Sequence, residues 1–292
     1  MNILITGAGG PAAVGVIKSL KGLNTFRHKL IAVDSDELAV GLHLCSAGYV
    51  IPKINEENYY DELKKVIKKE NIDLILPTSD DVIPISMMKK IYFNDINLFM
   101  SDYHSIATCH NKMLFYKKCS TDFRLPYTSN KFIPVFTKPI TGKGSVGVEL
   151  IDRKEEGYIY QDYLPGKEYT IDVLCDMDSN VLSVIPRIRL QTKAGISTKG
   201  RIIRDDFIES ECKKICEFLE LKGAVCIQMK ENEDGNPLFI EINPRFGGGT
   251  YFSTLAGVNF ASIILDLVDG KDVKIPEPKE ITVLRHFEEV VV

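Results

Sequence analysis

The chain lacks the marks of a membrane, secreted or nucleic-acid-binding protein. No apolar run approaches the roughly 20 residues of a bilayer span. Met1-Asn2-Ile3-Leu4-Ile5-Thr6 reaches Gly7 without the basic n-region of a signal peptide. The expectation is a cytoplasmic protein with no membrane contact. The net charge is only -4, which gives no global field for nucleic acid. Seven cysteines are scattered without a C-x-x-C pair, which argues against a disulfide framework and for reduced thiols. Cys212 and Cys216 stand one helical turn apart, but on an apolar stripe, and are assigned to core packing. The five histidines show no metal spacing, and His286 is assigned a structural place. No internal repeat or low-complexity segment occurs. What remains is 292 residues, 45% hydrophobic and 26% charged, enough for about two ordinary domains.

Residues 1 to 102 alternate strand and helix. Ile3-Leu4-Ile5, Leu30-Ile31-Ala32-Val33, Leu74-Ile75-Leu76 and Asn97-Leu98-Phe99-Met100 read as strands. Ala12 to Leu20 reads as a helix behind Pro11, where a missing N–H does no harm. Tyr59, Leu63, Val66 and Ile67 mark a second, amphipathic helix. This rhythm predicts an open parallel sheet with helices on both faces. Residues 103 to 123 predict two short helices, and Phe132 to Leu164 short strands around a glycine-rich turn. From Glu168 the strands lengthen: Tyr169 to Cys175, Val181 to Leu190, Ala224 to Met229 and Leu238 to Ile242. One helix carries Ile208, Cys212, Ile215, Cys216 and Leu219. Another carries Leu255, Phe260, Ile263, Ile264 and Leu267. The division is therefore 1–102, 103–164 and 165–292, an α/β unit followed by α+β with a mostly antiparallel sheet.

The most informative stretch is Phe239-Ile240-Glu241-Ile242-Asn243-Pro244-Arg245-Phe246-Gly247-Gly248-Gly249. Strand side chains repeat every second residue, so Glu241, Asn243 and, past the Pro bend, Arg245 can reach one point. Carboxylate and amide oxygens suit Mg²⁺, and an adjacent guanidinium suits a phosphoryl group. A second signal is Thr137-Lys138-Pro139 followed by Gly142-Lys143-Gly144-Ser145-Val146-Gly147. Glycines let backbone N–H groups approach an anion, and the preceding Lys138 supplies charge. A third runs from Tyr158 to Thr170, where a connector can offer backbone groups to an adenine edge. Glu168 just beyond it can accept ribose hydroxyls.

In this order the motifs resemble the ATP-grasp superfamily, in particular the carbamoyl-phosphate-synthetase-like branch of carboxylate–amine ligases. The resemblance implies a Rossmann-like N-terminal (pre-ATP-grasp) domain, then an ATP-grasp fold of lid (103–164) and catalytic subdomain (165–292). It implies Lys112 and Lys138 as nucleotide-phosphate lysines, and Gly142, Gly144, Ser145 and Gly147 as a loop over the phosphates. Gln161, Tyr163 and Leu164 become the adenine hinge and Glu168 the ribose ligand. Gln228, Glu241 and Asn243 become the ligands of one or two Mg²⁺ ions, with Mn²⁺ as a substitute, and Gln228, in place of an acid, holds its ion less tightly. Arg245 faces the transferred phosphate, joined there by Arg187 and Arg189, which share one strand face two residues apart, while Lys138 stands near the α-phosphate and adenine. These four are the implied catalytic residues. The implied reaction joins a small carboxylate, such as an amino acid, to an amine through an acyl-phosphate, with ATP giving ADP and phosphate. Full carbamoyl-phosphate synthesis is not expected.

The segments before Lys138 and before Gln161 are too short for strand plus helix, so the lid is expected to be shortened. Substrate or a second subunit, in a homodimer, then completes closure. Gly247-Gly248-Gly249 is expected to open the last helix and offer free N–H groups to a carboxylate. Lys193 and Lys199 flank Gly195-Ile196-Ser197, read as a mobile loop, and Arg201 and Arg204 extend the basic stretch. Asp80 and Asp81 stand at a strand's carboxyl end, either to bind a substrate amine or to cap a helix. Two other functions fit parts of the chain. An NAD-linked oxidoreductase would use Gly7-Ala8-Gly9-Gly10-Pro11 and Asp34. A non-catalytic ATP-binding sensor or assembly module would use the second half without turnover.

Overall fold

The computed structural model describes residues 1–23, 27–93, 95–130, 136–139, 149–150 and 157–292. The N-terminal region runs β1 (Asn2–Thr6), α1 (Pro11–Lys21), β2 (Lys29–Asp34), α2 (Val40–Leu44), β3 (Ala47–Val50), α3 (Tyr59–Glu70), β4 (Leu74–Pro77), α4 (Val82–Tyr92) and β5 (Asn97–Leu98). Its strands are parallel, in the order β3-β2-β1-β4-β5. The central strands are buried on both faces, β1 and β4 almost wholly so, as a parallel sheet between helices requires. The short α2 and β3 escaped the sequence reading because neither carries a clear period.

Two helices, α5 (Tyr103–His110) and α6 (Lys112–Cys119), lead to a four-stranded sheet. It comprises β6 (Thr128–Ser129), β7 (Phe136–Pro139), β8 (Glu149–Leu150) and β9 (Tyr158–Gln161), in the order β6-β9-β7-β8. Among the described residues no helix lies between β6 and β9.

The remainder is β10 (Glu168–Cys175), β11 (Val181–Lys193), β12 (Ile196–Ile202), α7 (Asp206–Phe218), β13 (Gly223–Glu231), β14 (Pro237–Asn243), α8 (Thr250–Leu255), α9 (Phe260–Val268) and β15 (Thr282–Leu284). Its six strands are antiparallel, in the order β14-β13-β10-β11-β12-β15. Two expectations are corrected here. The loop expected at Gly195-Ile196-Ser197 is a two-residue hairpin turn, Ala194–Gly195, between β11 and β12, with both residues at positive φ and Ile196 and Ser197 already paired in β12. The helix after the glycines is two helices. Gly257 takes φ +102 between them, and Asn259 restarts the second by accepting from the Ser262 N–H at 3.1 Å.

The six-stranded sheet has two unlike faces. One packs Ile171, Ile227, Met229 and Phe239 against Ile208, Cys212, Ile215 and Cys216 of α7, so both α7 cysteines are core. On the other face, Leu174, Ile185 and Ala224 join Ile3, Val16, Leu76 and Phe99 of the N-terminal unit in a single apolar cluster. The two units are also joined through the main chain, by an antiparallel bridge from Met100 to Gly223. Gly223 has φ +74, and a Cβ there would lie 2.3 Å from the Phe99 carbonyl oxygen, so glycine is required.

Candidate functional site

The polar end of that second face carries the motif residues. Antiparallel partners directly opposite one another share a face. The register sets Glu241 opposite Gln228, Gln228 opposite Thr170, and Thr170 opposite Arg187. One step along, Asn243 stands opposite Cys226 and Cys226 opposite Asp172. A β-bulge makes this possible. Gln228 pairs with Glu241 but Met229 pairs with Phe239, which leaves Ile240 as the extra residue. Strict alternation would put Phe239 and Glu241 on one face. The bulge lets Phe239 fill the core while Glu241 faces the site.

Glu241, Asn243 and Arg245 form a connected row. Asn243 Nδ2 donates to Glu241 Oε1 at 2.9 Å, and Arg245 NH2 donates to Asn243 Oδ1 at 3.2 Å. They line a cleft together with Asp80, His110 and Lys112. Asn111 fixes Lys112 by capping α6, accepting from the Met113 and Leu114 N–H groups at 3.1 and 3.0 Å. Lys112 thus starts the helix as a largely buried cation, 9% exposed. His110 was missed as a site residue, since nothing in a lone histidine before a short helix announces a cleft. Burial pushes its imidazole below the ordinary 6.5; Asp80 and Glu241 oppose the shift, and Lys112 and Arg245 add to it. Asp80 reaches Arg245 across the cleft (3.4 Å). Asp81 is instead buried, 3% exposed, and its side chain makes no capping bond to α4. Burial pushes its carboxyl up.

Several expected residues sit differently from the sequence reading. Arg187, expected at the transferred phosphate, is 1% exposed. It donates to Asp172 Oδ2 at 2.8 Å and to the Gly249 carbonyl at 3.3 Å, and stacks 5.1 Å from the Phe252 ring. Asp172 is also bonded by Ser253 Oγ at 2.8 Å. Arg187 therefore supports the glycine turn from beneath. A Cβ on Gly249 would fall 2.1 Å from Arg187 NH2. Arg189 is ion-paired with Glu168 and donates to the Gly195 carbonyl at 2.6 Å. The expected ribose ligand and the expected catalytic arginine thus hold each other. Gln161 is 7% exposed and donates Nε2 to Thr128 Oγ1 at 2.8 Å, so its side chain serves the small sheet. Tyr163 is 55% exposed, with Lys230 Nζ 5.4 Å from its ring centroid, and Leu164 is buried.

The Gly247 N–H is not free, because it donates to Thr250 Oγ1 at 2.9 Å. Lys193 and Lys199 are exposed on their hairpin, and Arg204 pairs with Glu209 and Glu277. Lys138 lies on β7, and Gly142, Gly144, Ser145 and Gly147 lie outside the described residues. In the N-terminal unit, Asp34 accepts from the Gly9 N–H at 2.8 Å and the Asp36 N–H at 3.0 Å. The acid of the loose dinucleotide fingerprint is thereby engaged by its own loop.

Carboxylate and amide oxygens beside a lysine, with a guanidinium aligned behind them, suit a divalent cation and phosphate oxygens. Comparison with known proteins agrees with that chemistry. Residues 154–290 match the family model described as ATP-grasp in the biosynthetic pathway with Ter operon, and residues 3–100 match the PylC-like N-terminal domain. The chain is 25% identical over 135 residues to a D-alanine–D-alanine ligase of Aquifex aeolicus, covering 39% of this chain and 46% of that protein. It is 26% identical over 215 residues to a D-aspartate ligase of Enterococcus faecium, covering 56% and 51%. The chain thus spans about half the length of the curated relatives it matches. The solved structure of N5-carboxyaminoimidazole synthetase from Staphylococcus aureus, complexed with ADP, superposes with a TM-score of 0.70 at 15% identity, covering 94% of this chain and 78% of that one. The Rossmann-like sheet, the small strand-built layer and the large antiparallel sheet together make an ATP-grasp fold, and residues 154–290 belong to the ATP-grasp superfamily, preceded at 3–100 by a PylC-like N-terminal domain.

Proposed function

We propose that the chain is an ATP-dependent carboxylate–amine ligase. The observation that carries this reading is the linked row Glu241–Asn243–Arg245, facing Lys112 across one cleft. In the proposed reaction a substrate carboxylate oxygen attacks the γ-phosphorus of ATP, and the bond to the bridging oxygen breaks, giving ADP and an acyl-phosphate. An amine nitrogen then attacks the acyl carbon and phosphate leaves. Glu241, Asn243 and Gln228 would hold Mg²⁺. Bound there, the ion would neutralise phosphate charge. Lys112 contributes a fixed positive charge close to that row, and Arg245 stabilises the phosphoryl group as it transfers. Lys138 and the glycine loop at 142–147 complete the nucleotide site, with Tyr163, Leu164 and Glu168 receiving the adenosine.

An amino-acid substrate is favoured by the names of the curated relatives, a D-alanine–D-alanine ligase and a D-aspartate ligase. The test is ADP release from MgATP across a panel of amino acids and dipeptides. A subset should stimulate release and yield a joined product by mass spectrometry. Glu241→Ala should abolish ADP formation while leaving the circular dichroism spectrum unchanged. Wild-type rates in that variant would overturn the metal assignment. ADP release that no carboxylate–amine pair stimulates would overturn the ligase reading.

A further inference from the structure

Arg245 is gripped from two sides of the cleft. NH2 donates to Asn243 Oδ1 at 3.2 Å, and NH1 donates to the Phe246 carbonyl at 3.1 Å. On the other side, Asp80 Oδ1 lies 3.4 Å from both Nε and NH2. Asp80 follows β4 in the N-terminal unit, 165 residues away in sequence. The two side chains are only 12% and 22% exposed, so the pair is weakly screened by water.

The two grips are unequal once the site is loaded. Asn243 Oδ1 is the amide oxygen that the ligase reading assigns to a divalent cation. Its direction is then set by that ion, and it becomes a poorer acceptor for the arginine. Asp80 has no such assignment. Among the described residues it is the only carboxylate ion-paired with Arg245. We propose that Asp80 is the positioning residue of Arg245. It comes from the neighbouring domain and keeps the guanidinium turned toward the phosphoryl group in flight. This rests on the ligase reading above. The PylC-like unit then supplies part of the phosphoryl-transfer machinery without itself touching nucleotide.

The proposal separates binding of the ground state from binding of the transferring group. Calorimetry with MgADP, and with MgADP plus fluoroaluminate as a stand-in for the phosphoryl in flight, reads the two apart. Asp80→Ala should bind MgADP within about twofold of wild type, yet lose on the order of tenfold or more of the tightening that fluoroaluminate produces, because a displaced guanidinium no longer meets the planar group. Asp80→Asn keeps an oxygen in place and should recover part of that loss. Arg245→Ala should match Asp80→Ala, and the double variant should be no worse than Arg245→Ala alone.

Full tightening in Asp80→Ala overturns the proposal. So does a double variant that loses more than Arg245→Ala, and so does an equal loss for MgADP and its fluoroaluminate complex, which marks a purely structural ion pair. A wild-type chain that binds no MgADP overturns the nucleotide reading itself, and this inference falls with it. Wild-type binding with an unaffected Asp80→Ala removes the positioning role alone.

Discussion

Arg187 and Arg245 are two guanidiniums of the same large sheet with opposite fates. Arg245 opens onto the cleft, whereas Arg187 is sealed against Asp172, Gly249 and Phe252. A sealed charge depends on its counterion. Asp172→Ala strands a buried cation and should destabilise the fold by about 3–5 kcal/mol. Chemical unfolding checks this, and a loss under about 1 kcal/mol would show that the pair is not structural. The sequence could place Arg187 and Arg189 on one strand face but not say how deep each lies. Depth is set by what covers the strand, here α8 and the glycine turn, and that is long-range information. Lys112 was named only through the family resemblance of His110-Asn111-Lys112, since nothing in its own spacing marks it. His110 was not singled out, because its surroundings come from β4 and β14, far away in sequence.

At the scale of elements, the decisive feature is the bulge in β14. Alternation alone finds Glu241, Asn243 and Arg245, but gives no place for Phe239 in the core. Ile240 resolves the conflict by absorbing one residue. Deleting Ile240 should force a choice between a filled core and a formed site. The expected outcome is either loss of MgADP-induced thermal stabilisation with the fold kept, or a fall in melting temperature from exposing Phe239. A deletion variant that melts and binds like wild type would show that the bulge has no such role. Strong apolar periods made α3, α7 and the long strands readable in advance, and Pro11 marked the start of α1. Of the elements that escaped, α2, β3 and β15 are short or edge pieces held by tertiary pairing rather than local preference, while β12 is seven residues long and paired on both sides but carries a polar, glycine-containing sequence with no clear strand pattern. The β11–β12 turn shows the same limit, because a lysine-flanked Ala-Gly carries no strong hairpin signature.

For the whole molecule, acid should act mainly through carboxylates that the fold holds ionised. Glu70 is kept below its ordinary 4.5 by its bond to Lys29 and then by Tyr49. Asp102 is kept below 3.8, chiefly by Lys222, which immediately precedes β13. Each folded value is depressed, so the stability each contributes is present above the unfolded value and is lost as pH falls through the folded one. The lowered His110 acts in the same sense from 6.5 downward. Melting temperature should therefore fall steadily on acidification. Glu70→Gln should be less stable than wild type at pH 7, with the gap closing below about 4.5. A gap that stays constant down to pH 3 would contradict the Glu70 assignment.

The Met100–Gly223 bridge has a mechanical consequence. Two lobes stitched through their main chains, and sharing one apolar interior, have no hinge to swing on at that seam. Opening one lobe against the other would first have to break that bridge and part the shared interior. Widening the seam by substituting Gly223 should consequently loosen both lobes at once instead of freeing one from the other.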